Sequence, residues 1–279
     1  MAPLWIALVV CSMICSRAGA DVGVCYDLQG DSLPSANEVV TLYKQYGIQS
    51  MRLFEPDPSA LEALKGSGIA VTLGVVNAGI PNIASSQAAA QQWFDTNVAP
   101  YLNDVNFSYI AVGNKVIPGG DGSTTAGAMQ NIQTILSARN IDGIKVSTVV
   151  PMNALGASYP PSAGQFTSEV DGVMRAILGV LSAHGSPLMI NVYPYFAMFT
   201  ANGMVVQDGP LGCSSLFDAM VDAFYSAMEK AGGSKVGVVV TESGWPSSGS
   251  GKLTTPELAG TYNRNFLEHL KGKWDTKEA

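Results

Sequence analysis

The strongest constraint in this sequence is an alternation that runs from Val22 to Leu270. Short apolar, β-branched runs take turns with longer amphipathic ones. Strands are expected at Val22–Tyr26, Ser50–Phe54, Ala70–Val76, Tyr109–Val112, Lys145–Val150, Leu188–Tyr193 and Val236–Thr241. Helices are expected between them, several opened by a recognisable cap. Ser35 and Glu38 form a capping box, Asp57-Pro58 places a cap before a first-turn proline, and Thr255-Pro256 opens the last helix. A helix is also expected near Phe166–His184, closed by Gly185, and another over Ser215–Lys230 with Leu216, Met220, Ala223 and Ala227 on one face.

Strict strand–helix alternation implies a parallel sheet covered by helices. It closes either as an open doubly wound sheet or as a barrel. The open sheet usually carries a phosphate loop after its first strand. That turn here reads Asp27-Leu28-Gln29-Gly30-Asp31, which lacks the glycine fingerprint and places two acids where phosphate would sit. The fold class expected is therefore α/β, a TIM-type (β/α)8 barrel. Only seven strand–helix units can be counted against the eight such a barrel uses.

Charged residues make up 13% of the chain and the net charge is −7, a balance that argues against nucleic acid as a partner. Residues 1–20 read as a signal peptide: an apolar run through Cys15, then Ser16-Arg17 and the small-residue site Ala18-Gly19-Ala20. The run is short for a membrane span. The domain division expected is thus 1–20 as leader and 21–279 as one secreted barrel domain, a monomer without a membrane anchor. Cys25 and Cys213 remain after cleavage. Secretion permits a disulfide between them; two free, buried thiols are the expectation, because Cys25 falls within a strand. Asn106-Phe107-Ser108 is a glycosylation triplet.

Loops at the carboxyl ends of barrel strands build the site. The residues there are Asp27, Glu55, Asp57, Asn77, Asn114, Lys115, Asn153, Tyr193, Tyr195, Glu242 and Trp245. Acids, amides and aromatic rings suit a neutral polyhydroxyl ligand. His184 and His269 fall at or near helix ends, so neither a catalytic triad nor a histidine metal site is expected, and no cofactor is implied. The stretch Val236–Ser248, VGVVVTESGWPSS, is expected to bury a strand on both faces and to leave Glu242 at its carboxyl end. Taken alone, Glu242 reads first as a structural carboxylate in a strand-end network. The other reading is a carboxylate that attacks an anomeric carbon, with Trp245 as a sugar platform.

The whole of Val236–Ser248 resembles the signature of the plant β-1,3-glucanases, glycoside hydrolase family 17. The resemblance extends from about Val22 to Leu270. It implies a secreted, retaining endo-1,3-β-glucanase acting on β-1,3-glucan, with Glu242 as nucleophile. It also implies substrate contacts at Asn114, Tyr193, Trp245, Phe54 and Tyr26; the family commonly has Tyr at the position of Phe54 and Gly at that of Asp27. An eighth strand with a Phe-Asn-Glu-Asn type segment is expected in the family beyond the point where this sequence ends, and a longer loop after Phe196.

One departure bears on chemistry. The family's general acid lies in a Val-Gly-Asn-Glu motif after the fourth strand, and this chain reads Val112-Gly113-Asn114-Lys115. An ordinary lysine holds its proton near pKa 10.4, too tightly to hand it to a departing sugar oxygen at neutral pH. Losing the acid costs about 10²–10⁴ in rate. An ammonium roughly 5 Å from a cationic transition state adds about 3 kcal/mol of repulsion at an effective dielectric near 20. Lys115 is further expected to pair with Glu242. Hydrolysis is thus expected to be impaired, with a non-hydrolytic glucan-binding protein or an inactive product as the alternative.

Overall fold

In a computed structural model, the residues described are 22–29, 33–120, 122–195, 206–208, 211–213, 215–249 and 251–270. The leader, the turn around Gly30, Phe196, Gly209 and the tail after Leu270 lie outside them, as does the side chain of Cys213. Two compact units are present. The larger holds Gly23–Val192 and Val205–Glu242, and the smaller includes residues 193–195, 243–249 and 251–270.

Among the described residues the larger unit carries eleven strands: β1 Gly23–Tyr26, β2 Ser50–Leu53, β3 Ala70–Val75, β4 Asn106–Asn114, β5 Lys145–Pro151, β6 Leu155–Ala157, β7 Gln165–Phe166, β8 Leu188–Asn191, β9 Val206–Asp208, β10 Leu211–Cys213 and β11 Val238–Glu242. Seven form one parallel sheet in the order β1-β2-β3-β4-β5-β8-β11. Spatial order follows chain order without reversal, which removes the doubly wound alternative. The pairs β6–β7 and β9–β10 are small antiparallel ribbons.

Helices begin where their caps predict. Ser35 and Glu38 make the reciprocal capping box of the helix Ala36–Gln45. Asp57 Oδ1 accepts from Ala60 N at 2.6 Å to start Pro58–Leu64. Ser86 and Ser215 cap Gln87–Asn97 and Leu216–Lys230. Gly185, at φ 59°, closes Asp171–His184. That helix starts later than its apolar pattern suggests, because Phe166 is taken up in β7 opposite Leu155.

The core splits in the way a barrel requires. Met51, Leu53, Val71, Leu73, Ile110, Val112, Val146, Val150, Leu188 and Ile190 join the helices in one large cluster. The alternate positions Ala111, Val149 and Met189 form a second, with Tyr109 and Val239 against it. Successive strand residues face opposite ways, so the first cluster is the sheet–helix layer and the second fills the inside of the curl.

Among the described residues β1 and β11 are the sheet edges. The strand expected to be buried on both faces is half-exposed from Val238 to Thr241, and only Glu242 is buried. Each edge strand has one strand neighbour, so half of its cover is missing. Cys25, expected to be buried, is likewise exposed in β1; it is a free thiol. Its Sγ lies 3.4 Å from the carbonyl of Thr241, joining β1 to β11 across the edges.

Candidate active site

Simple alternation would turn both central residues of the site the wrong way. Val238 and Val240 pack on the helix side, and Glu242 has the same parity. A register shift against β8 between Val240 and Glu242 sets Glu242 opposite Asn191 and brings its carboxylate inside. In β4, Ile110 and Val112 face the helices, and a shift between Ala111 and Asn114 does the same for Asn114. Gly113 makes that shift at φ 81°, where a Cβ would meet Ile80 Cδ1 at 2.6 Å. Lys115 follows in the left-handed region at φ 57°.

Glu242 is 7% exposed, and its carboxylate lies between two cations. Arg52 Nη1 donates to Oε1 at 2.8 Å and Lys115 Nζ lies 3.0 Å from Oε2. Arg52 is buried, while the Lys115 side chain is about half-exposed. Arg52 also donates to the carbonyl of Thr241 at 3.3 Å, and its guanidinium sits 4.5 Å from the centre of the Phe54 ring. Its Nε is buried without a hydrogen-bond partner among the described residues.

Amides hold the frame around this trio. Asn77 grips the backbone of Asn114 at both ends, accepting from its N–H at 2.8 Å and donating to its carbonyl at 2.9 Å. Asn191 donates to Asn114 Oδ1 at 3.1 Å and accepts from Thr241 Oγ1 at 3.0 Å. The backbone N–H of Lys115 is fixed by the carbonyl of Val149. Position 115 is thus set by β4, β5 and Asn77 before its side chain chooses a partner.

Of the residues singled out in the sequence, Glu242, Lys115, Asn114, Asn77 and Phe54 come together in this unit. Others have local duties. Asp57 caps a helix, and Asp27 Oδ1 accepts from Gln29 N at 3.0 Å. Glu55 and Asn153 are exposed. Burial, with a smaller contribution from the Asp57 charge, pushes the Tyr26 phenol above its usual value. Burial likewise raises the Cys25 thiol, opposed by the Arg52 charge and reinforced by that of Glu242.

Tyr193, Tyr195 and Trp245 belong to the smaller unit. There Tyr195 meets Trp245 edge to face at 4.9 Å, and Tyr262 lies 5.7 Å from the indole. The Trp245 indole N–H donates to the carbonyl of Leu253 at 2.7 Å. Tyr262 stacks on Phe266 and shares a 2.7 Å hydrogen bond with Ser243.

Arg52, Asn191 and Thr241 were not read from the sequence. Arg52 left a usable signal: it lies inside Ser50–Leu53 between apolar neighbours, and a cation buried in a strand requires an anion. Asn191, the last residue of β8, had a weaker signal of the same kind.

A buried carboxylate at the carboxyl end of a parallel barrel strand, framed by amides, defines the class: a barrel enzyme of the glycoside hydrolase type. The comparisons make it specific. The model of glycosyl hydrolases family 17 matches residues 22–277, and the chain belongs to that family. It is 46% identical over 259 residues to a probable glucan endo-1,3-beta-glucosidase, BG5, of Arabidopsis thaliana, covering 88% of this chain and 73% of that one. It is 45% identical to a glucan endo-1,3-beta-glucosidase of Vitis vinifera, covering 90% and 78%. A solved structure from work on two plant beta-glucan endohydrolases with distinct substrate specificities superposes with TM-score 0.84 at 43% identity, covering 89% of this chain and 84% of the other. CJP38, a beta-1,3-glucanase and allergen of Cryptomeria japonica pollen, gives TM-score 0.85 at 42% identity, covering 90% and 83%.

Proposed function

We propose that this protein is a β-1,3-glucan-directed member of its family with Glu242 as nucleophile, and that Lys115, standing at the general-acid position, makes hydrolysis of the unactivated polymer slow. The contact that carries this reading is Lys115 Nζ at 3.0 Å from Glu242 Oε2. Retaining hydrolysis needs a carboxylate to attack C1 and an acid to protonate the leaving oxygen. Glu242 is held for the first task by Arg52 and by its strand-end bulge. Lys115 cannot carry out the second, and it occupies the carboxylate oxygen that Arg52 leaves available. A carboxylate hydrogen-bonded to two cations is a weaker nucleophile than one held by a single cation.

The same observation favours a second reading, a protein that binds β-glucan without cleaving it. Secretion belongs with both readings, supported by the leader-like residues 1–20; a secreted chain would begin at Asp21, which N-terminal sequencing of the exported protein tests. The function itself is tested by two measurements on the mature chain. Electrophoretic retardation in gels with linear β-1,3-glucan or mixed-linkage β-glucan reports binding and linkage preference. Release of reducing ends reports cleavage. Retardation by the β-1,3-linked polymer with cleavage about 10²-fold or more below the family's active members supports the proposal. Cleavage at a comparable rate refutes it.

A further inference from the structure

Asn106-Phe107-Ser108 is the only Asn-X-Ser/Thr triplet in the chain, and the glucan-directed site makes no use of it. Asn106 is the first residue of β4, at the amino end of the parallel strands, and it is exposed. Asn114 and Glu242 stand at the carboxyl ends of β4 and β11. Val105 and Phe107 are buried, so the backbone is anchored on both sides of Asn106. The Phe107 N–H donates to the Val105 carbonyl at 3.1 Å, a tight turn centred on Asn106. Ser108 is passed over by the register with β3, in which Val71 pairs with Phe107 and Thr72 with Tyr109. Neither the Asn106 amide nor the Ser108 hydroxyl makes a hydrogen bond among the described residues. The adjoining turns are open as well: Gly68 before β3 and Asp142-Gly143 before β5 are exposed.

A branched oligosaccharide needs open solvent around its attachment and must leave the fold's own hydrogen bonds intact. Asn106 meets both conditions. Resting on the reading that the chain is secreted, we infer that Asn106 carries an N-linked glycan, set at the end of the barrel opposite Asn114 and Glu242. The co-reactant is an oligosaccharide carried on a polyprenyl diphosphate. Asn106 Nδ2 attacks C1 of its first sugar. The N–C1 bond forms, the C1–O bond to the diphosphate breaks, and that electron pair leaves with the lipid diphosphate. One amide proton passes to a base of the transferase. Ser108 supplies the hydroxyl by which the triplet is recognised. The site is built at the other ends of the strands, so the glycan leaves access to it unchanged.

The test expresses the full chain, leader included, in a eukaryotic secretory host beside Asn106→Gln, Ser108→Ala and Ser108→Thr. N-terminal sequencing of the exported protein reports secretion separately. The starting chain and Ser108→Thr should run as a heavier species that peptide N-glycosidase brings down to the mobility of Asn106→Gln. In heavy-oxygen water the same digestion should convert Asn106 to an aspartate carrying the isotope, a readout that needs no variant. Asn106→Gln and Ser108→Ala should show no shift. Retardation in β-1,3-glucan gels should be the same for Asn106→Gln as for the glycosylated chain. An exported chain that begins at Asp21 with Asn106 unmodified overturns the inference and leaves secretion intact. A chain retained with its leader and without a glycan overturns both. Retardation seen in Asn106→Gln but lost in the glycosylated chain would contradict the placement away from the site.

Discussion

Arg52 Nη1 lies 2.8 Å from Glu242 Oε1, although five strand-to-strand steps separate β2 from β11 in the sheet. In a flat sheet those steps would span about 24 Å, far beyond the reach of an arginine. The contact therefore measures the curl of the sheet and ties its two ends together. Removing Arg52 takes away the buried one of the two cations seen beside the Glu242 carboxylate, Lys115 being half-exposed. Arg52→Met is expected to destabilise the protein by roughly 3 kcal/mol, read from urea unfolding. Adding Glu242→Gln should cost much less than the sum of the single changes, because the uncompensated charge is then gone.

Gly113 is the hinge that turns Asn114 and Lys115 inward. Its φ of 81° is unfavourable for any side chain, and a Cβ would press on Ile80 Cδ1. Gly113→Ala should cost about 2 kcal/mol by combining backbone strain with that clash. A lowered urea midpoint with an unchanged denaturant slope is the expected signature.

Cys25 is exposed as a residue of an edge strand, but its sulfur turns toward the Thr241 carbonyl, and this partial cover, ahead of the Glu242 charge, raises the thiol above its usual value of 9.0. A thiolate is the reactive form. Iodoacetamide should therefore label Cys25 in the folded protein, slowly at neutral pH and faster as pH rises past 9. Glu242→Gln removes one cause of the shift and should move that rise to lower pH. Labelling that requires unfolding would contradict the exposure of β1.

Tyr43 is buried in the helix Ala36–Gln45, and burial pushes its phenol from 10.0 to about 12. The folded state holds this proton more tightly than the unfolded chain does. The associated stability is fully present below pH 10 and is lost as pH rises toward 12. Unfolding midpoints measured across that window should fall with pH, and Tyr43→Phe should flatten the fall.

Much of this architecture was legible because it is written in local chemistry. Ser35 with Glu38, Asp57 before Pro58, and Gly185 after His184 each satisfy helix ends with their own atoms, so neighbours in sequence suffice to see them. What escaped depends on the sheet as a whole. Val238–Thr241 has the composition of a doubly buried strand, and its half-exposure follows from standing at an edge. Phe166 continues an apolar pattern into a helix, but pairing with Leu155 claims it first. In the site, Glu242 and Lys115 stood out as motif positions. The register shifts that turn Glu242 and Asn114 inward contradict period-two alternation and cannot be counted off a single strand. Arg52 becomes intelligible only when β2 is seen curled against β11.

The central claim is that the cation at position 115 stands where an acid is needed opposite Glu242. The most direct test is Lys115→Glu, assayed beside the starting chain for new reducing ends from linear β-1,3-glucan at neutral pH. The account predicts a gain of about 10²–10⁴ in rate for the variant. A starting chain that already cleaves as fast as the variant, or a folded variant that remains silent, would contradict it.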